Sequence, residues 1–256
     1  MEILQFVWDP TSEGFTIFGK FTIYYYSLMW MLAFILGFYI MQIIYKKEGL
    51  SMEKLDSLFV YTILGTMIGA RLGHVIFYQI ELFDQDFFSV FLPFRFNPTF
   101  EFTGFRGLAS HGAAIGIITA MFIYNIRILK KSVLWILDRI LIPVAIGGAF
   151  IRIGNFFNSE IVGKETDSIF GVVFSKLGED FARHPAQLYE AFSYIIIFFI
   201  VAHIYWRTEK IKKTGYLFGL FFVLLWVSRF IVEFFKQAQV DGREDWILGM
   251  NTGQTL

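Results

Sequence analysis

The chain has 256 residues and no net formal charge, with 56% hydrophobic and 17% charged residues, and its mean hydropathy is +0.57. Soluble domains carry about 25% charge, so this composition describes a membrane protein. The balanced charge and a pI of about 6.9 exclude the basic surface that a nucleic-acid partner requires. Cysteine is absent, which removes disulfides, thiolate metal sites and any sulfur nucleophile of the chain's own.

The opening residues carry Glu2, Asp9 and Glu13 and lack a basic n-region, so they do not resemble a cleavable signal peptide. A bilayer is crossed by roughly 20 mostly apolar residues. That rule predicts six spans, at 24–45, 58–78, 108–126, 133–155, 187–206 and 216–235. The third is the weakest, because Ser110 and His111 stand at its start. Short basic connections follow the first, third and fifth spans: Lys46, Lys47 and Lys54, then Arg127, Lys130 and Lys131, then Arg207, Lys210, Lys212 and Lys213. The positive-inside rule assigns these to the cytoplasm, which places the N-terminus and, after six crossings, residues 246–256 outside. The fold class expected is an all-α, polytopic integral membrane protein formed by one domain, 1–256.

An arginine at the centre of a spanning helix costs roughly 2.5–3.5 kcal/mol on insertion scales, so intramembrane charges mark cavities, partners or sites. With this orientation, Arg71, His74, His111, Arg152, Asn155, Asn158, His184, Glu190, Arg229 and Glu233 all fall in the outer half, joined by Tyr24, Tyr25 and Tyr26. Near the cytoplasmic face stand mainly Asp138, Arg139 and His203. The asymmetry predicts a polar cavity toward the outer leaflet. A local echo links Gly69-Ala-Arg71-Leu-Gly73-His74 to Phe150-Ile-Arg152-Ile-Gly154-Asn155.

Several of these residues also have simple structural readings. Arg229 and Glu233 are spaced i,i+4, which suits either an ion pair or a site in which Glu233 orients a ligand-binding arginine. Arg71 can snorkel to the interface. Arg152 has no acidic residue within one turn, so its expected counter-ion is a ligand, and a lipid phosphate is the anion at that depth. The segments 97–111 and 154–166 are rich in glycine and polar groups, as cavity-lining backbone would be. His111 lies between Gly107 and Gly112 at a helix start, where it could act as a general base. Intramembrane Arg, Glu and His equally suit a secondary transporter, although transport sites lie near the midplane and here the polar residues gather near one face. A metal-dependent phosphatidyl transferase is disfavoured, since Asp138 is the only clear intramembrane aspartate.

The stretch Arg152-Ile-Gly-Asn155-Phe-Phe-Asn158-Ser-Glu160-Ile-Val-Gly163 resembles the signature of the prolipoprotein diacylglyceryl transferases, bacterial inner-membrane enzymes. Tyr26-Ser-Leu-Met-Trp30, Gly69 to Tyr78, Gly107-Leu-Ala-Ser-His111-Gly112, Arg183-His184-Pro185-Ala-Gln187-Leu-Tyr189-Glu190, Arg229 to Lys236 and Asn251-Thr-Gly253-Gln254 resemble the same family in the same order. The resemblance implies transfer of the diacylglyceryl group of phosphatidylglycerol to the lipobox cysteine of a preprolipoprotein signal peptide. The products are a thioether and glycerol phosphate. It implies a multi-pass protein in contact with membrane lipids, and neither cofactor nor metal. The nucleophilic sulfur then belongs to the substrate. On the same grounds Arg152 and Arg229 would stabilise charge on the leaving phosphate, and His111 would take the thiol proton or hydrogen-bond the headgroup. Tyr26, Asn155, Asn158, Glu160, Gly163 and Glu233 would shape the site.

The chain departs from the family pattern in three places. Ile151 stands before Arg152 where the family usually has glycine, and Leu225 stands one turn before Arg229 where it usually has tyrosine, with Trp226 adjacent. The family usually continues past the Gly-Gln segment into a seventh spanning helix.

Overall fold

The computed structural model describes residues 6–10, 14–17, 21–92, 94–96, 99–102, 107 and 109–237. Most of the segment 97–106 and the closing 251–254 stretch lie outside the described residues. In chain order the elements are β1 (Phe6–Trp8), β2 (Gly14–Ile17), β3 (Phe21–Tyr24), α1 (Tyr25–Lys47), α2 (Met52–Tyr78), α3 (Leu82–Gln85), α4 (Phe87–Phe91), β4 (Phe94–Arg95), β5 (Glu101–Phe102), α5 (Ser110–Tyr124), α6 (Val133–Phe157), β6 (Val172–Phe174), α7 (Ala186–Arg207) and α8 (Tyr216–Glu233). Among the described residues six helical stretches are long and apolar enough to cross a membrane, one in each predicted span. The chain is a mostly helical, polytopic membrane protein.

The boundaries differ from the hydropathy reading where helix and apolar segment are not the same thing. α2 starts at Met52 after Ser51 in extended conformation, because Glu53, Lys54 and Asp56 fail the apolar criterion without preventing a helix. α5 continues into one π-helical turn, Asn125–Leu129, and stops at Lys130 in the left-handed region (φ 57°). The Asn125 side chain closes this end by accepting a hydrogen bond from the Lys131 amide at 2.9 Å. The three two-stranded sheets, β1 with β6, β2 with β3 and β4 with β5, were not expected from the sequence.

The residues group into two compact units, 42–137 and 1–41 with 138–256. In the first, α2 and α5 meet along a seam of small residues at every fourth position, Gly65, Gly69 and Gly73 against Gly112, Gly116 and Ala120. A Cβ on Gly73 would sit 2.6 Å from Gly112 Cα, and one on Gly116 would sit 2.8 Å from Gly69 Cα. Lipid chains are as apolar as leucine, so no hydrophobic force drives these helices together, and close backbone contact provides the van der Waals attraction. Around the seam, the Tyr124 hydroxyl lies 2.8 Å from that of Tyr45 and donates to the Lys54 carbonyl at 3.0 Å. Arg71 donates to the carbonyls of Ser89 (2.8 Å), Val90 (3.2 Å) and Gly107 (3.4 Å), so its guanidinium fixes the α4 segment in place.

In the second unit α1 and α6 run antiparallel. Ala33 lies opposite Gly147, and Gly154 lies so close to Tyr26 that a Cβ there would be 2.8 Å from the ring. Asp138, fully buried, accepts from the amides of Gly215 (2.6 Å) and Phe218 (2.9 Å) and so caps the start of α8. This fixes the starts of α6 and α8 side by side. The ends of α6 and α8 therefore meet the start of α7. The β1–β6 pairing closes over this end, where Trp8 packs on Phe156 (ring centroids 4.6 Å apart).

The seam yields a paired prediction. Gly112→Ala forces a methyl against the Gly69 carbonyl and should destabilise by about 1–3 kcal/mol, as overpacking does. Gly219→Ala, with nothing within 4 Å, should leave thermal stability unchanged or raised. Melting of the detergent-solubilised variants checks both.

Candidate active site

At the end of α6 the i,i+3 spacing puts Arg152 and Asn155 on one face, and Arg152 Nη1 donates to Asn155 Oδ1 at 3.0 Å. Asn155, buried, donates in turn to Glu160 Oε1 at 2.7 Å, and Asn158 donates to the same oxygen at 3.3 Å. Glu160 returns over the helix end because Ser159 occupies the left-handed region (φ 55°), and Ile161 after it does so too (φ 59°). That conformation is an outlier for a β-branched residue and stores strain. Gln187, fully buried on α7, secures the turn by donating to the Glu160 carbonyl at 2.7 Å.

Arg152 is not the unpaired cation that the sequence suggested. Its Nε lies 2.5 Å from Glu190 Oε2 on α7. The counter-ion comes from another helix, which a search within one turn does not reach. Glu190 is 1% exposed and also faces the Lys236 ammonium at 3.6 Å. Lys236, itself 3% exposed, lies 3.7 Å from Glu233, so Glu233 makes this ion pair with the lysine one turn onward.

Arg229 makes no ion pair among the described residues, and its Nε is buried without a hydrogen-bond partner. Its guanidinium stands over the Trp226 ring, 5.6 Å from the centroid, so the tryptophan beside Leu225 supports the arginine by a cation–π contact. Tyr194, buried on α7, hydrogen-bonds with Arg152 and is within electrostatic reach of Arg229.

The remaining expected residues separate into framework and surface. Gly163 is required by close approach, since a Cβ there would lie 2.6 Å from both the His184 Cβ and the Phe235 carbonyl oxygen. It forms an isolated β-bridge with Lys236, which ties the segment after Glu160 to the end of α8. Tyr26 is half-buried against Gly154. His111 is exposed in the first turn of α5, in the 42–137 unit, and His203 is exposed on α7. Beside the charged group, Arg183 grips Glu179 through Nε (2.5 Å) and Nη2 (2.6 Å) and donates to the Gly163 carbonyl at 3.2 Å.

The family model for prolipoprotein diacylglyceryl transferase matches residues 13–256. The chain belongs to this family. Relatives named phosphatidylglycerol–prolipoprotein diacylglyceryl transferase include one from Tolumonas auensis, 42% identical over 86% of this chain and 81% of its own length. Another from Bacteroides fragilis is 37% identical over 99% of this chain and 91% of the relative, and one from Chloroherpeton thalassium is 36% identical over 97% and 88%. In this diacylglyceryl transferase family member, sequence reasoning gave no role to Lys236, Gln187 or Tyr194. Lys236 stood i,i+3 from Glu233, but lysine is almost never fully buried unless paired, and its second carboxylate comes from α7.

Protonation of the segment between α6 and α7 has a calculable sign. Hydrogen bonds from Arg183 hold the Glu179 carboxyl below its ordinary value of 4.5, and burial holds the His184 imidazole below its ordinary 6.5. Both folded-state values are depressed, so both contributions are complete above the ordinary values and are lost on acidification. Amide protection over residues 164–184, read by hydrogen exchange, should be constant at pH 7–8. It should weaken once as the pH falls below 6.5 and again below 4.5.

Proposed function

We propose that the chain, acting as one catalytic domain, transfers the diacylglyceryl group of phosphatidylglycerol to the lipobox cysteine of a preprolipoprotein. The thiolate sulfur forms a bond to the terminal glyceryl carbon, the carbon–oxygen bond to phosphate breaks, and the electron pair departs on glycerol phosphate. The observation that carries the reading is Arg229, a cation with a buried, unsatisfied Nε and no carboxylate partner among the described residues. Nearby, Arg152 and Lys236 are balanced by Glu190 and Glu233, so a phosphate is the anion that Arg229 lacks.

In this reading Arg229 takes the phosphodiester and Arg152, fixed in its plane, meets the charge that grows on the leaving phosphate. His111 accepts the thiol proton, because the thiolate is the competent nucleophile. Tyr26, Asn155, Asn158, Glu160, Gly163 and Glu233 shape the cavity. Membership of a family of transferases supports this over a secondary transporter. We also assign the chain to the bacterial cytoplasmic membrane with its N-terminus outside and the cavity toward the outer leaflet, where the lipobox cysteine and the lipid headgroup meet.

The test is lipidation of a lipobox peptide with phosphatidylglycerol as donor. Arg229→Gln should lower kcat by about 10²–10³, the effect of removing one donor from a developing anion. Arg152→Lys should also be impaired, since an ammonium cannot form the planar fork. His111→Ala should lose most activity and His203→Ala almost none; equal behaviour of the two would remove His111 from the mechanism.

Because the chain has no cysteine, topology can be read by single introduced thiols. In intact cells, a membrane-impermeant maleimide able to cross the outer membrane should label Asp167→Cys and should spare Lys131→Cys and Lys213→Cys. The opposite pattern would invert the orientation.

A further inference from the structure

The buried carboxylate of Glu190 is unlike the other acidic groups of the site. It is 1% exposed, it lies on α7, and its two oxygens face cations from two different segments, Arg152 Nε on α6 at 2.5 Å and Lys236 Nζ beyond α8 at 3.6 Å. Moving an ion this far from water is costly unless oppositely charged partners are in place. Arg152 is in turn ion-paired at Nε with Glu190 and hydrogen-bonded at Nη1 to Asn155, and it also interacts with Tyr194. Contacts on different nitrogens restrict both the position and the plane of a guanidinium.

We infer that Glu190 is a positioning residue for transfer: its carboxylate, shared between Arg152 and Lys236, holds the Arg152 guanidinium in the orientation in which it meets the departing phosphate. The inference rests on the transferase reading given above. Lys236, 3.6 Å from the second oxygen, supplies a second cation that opposes any movement of Glu190 after Arg152. The Gly163–Lys236 bridge transmits the same constraint to the segment after Glu160. Glu190 touches no reacting atom in this scheme. Its loss leaves Arg229 to bind the lipid while Arg152 swings out of plane, so turnover falls and lipid affinity does not.

Two measurements test it, one of them independent of activity. In lipid nanodiscs, nitrogen-15 spectra of labelled arginine side chains should contain a slowly exchanging Nε–H, assigned by its loss in Arg152→Lys. This signal should vanish in Glu190→Gln and persist in Glu233→Gln; persistence in Glu190→Gln overturns the inference. In the peptide-lipidation assay, Glu190→Gln should reduce kcat about 100-fold while KM for phosphatidylglycerol changes less than about 3-fold. It should add nothing to Arg152→Lys in the double variant, because both changes remove one interaction. A rise in KM at unchanged kcat, or effects that multiply in the double variant, would overturn it. Glu190→Asp keeps the charge but withdraws it from Nε, so it should lie between the two, and it serves if the glutamine variant fails to accumulate; wild-type turnover in it counts against the proposal. If the unaltered protein transfers nothing, the transferase reading falls, and the arginine spectrum still decides whether Glu190 holds Arg152.

Discussion

Charge placed among apolar helices must be neutralised where it sits, and at the end of α6 that requirement organises the local structure. Arg152 cannot be solvated by lipid tails, so Glu190 comes in from α7. Glu190 in turn demands Lys236, which Glu233 also faces. Each partner arrives on a different segment, so the electrostatics require that α6, α7 and the end of α8 be brought together. The buried Asp138 cap performs the corresponding task at the opposite ends of α6 and α8 through two backbone amides. Helix packing alone would leave these helices free to slide, whereas polar attachments at both ends set their register.

The 42–137 unit uses a different solution. The α2–α5 seam contains almost no side-chain volume, and its attraction comes from backbones in contact over two full turns. Arg71, which sits in this unit in the same Arg-aliphatic-Gly pattern as Arg152, is directed at three backbone carbonyls. The sequence echo thus marks a shared packing device, an arginine beside a glycine that permits close approach. The two arginines do different work: Arg71 reaches backbone carbonyls of the α4 segment, whereas Arg152 reaches a carboxylate on another helix.

Hydropathy was enough to find the six spans, since an apolar run of that length has few alternatives. It missed the first turn of α2, where Glu53, Lys54 and Asp56 are helical but polar, and the strands, which are too short to show alternation. The ordered motifs identified the family, and Arg152, Asn155, Asn158 and Glu160, which they named together, touch one another, because these are neighbours along one chain segment joined by local hydrogen bonds. The partners of Arg152 and Glu233 were assigned less well. Local spacing offered both Arg229 (i,i+4) and Lys236 (i,i+3) to Glu233, of which the structure pairs the lysine, and it offered nothing to Arg152, which tertiary packing gave to Glu190. Ion pairs across helices leave no periodic trace in a sequence.

The left-handed turn at Ser159 and Ile161 depends on its neighbours. Glycine would occupy the Ile161 conformation without strain, but it would also loosen the unfolded chain and remove the isoleucine side chain, so the two effects oppose each other. The turn meanwhile is held from outside, by Gln187 on the Glu160 carbonyl and by Asn155 and Asn158 on its carboxylate. A β-branched residue can persist at this position only while those bonds last, so damage to them from elsewhere in the chain would be felt first as a rearrangement of residues 159–161 and only later as loss of the helices.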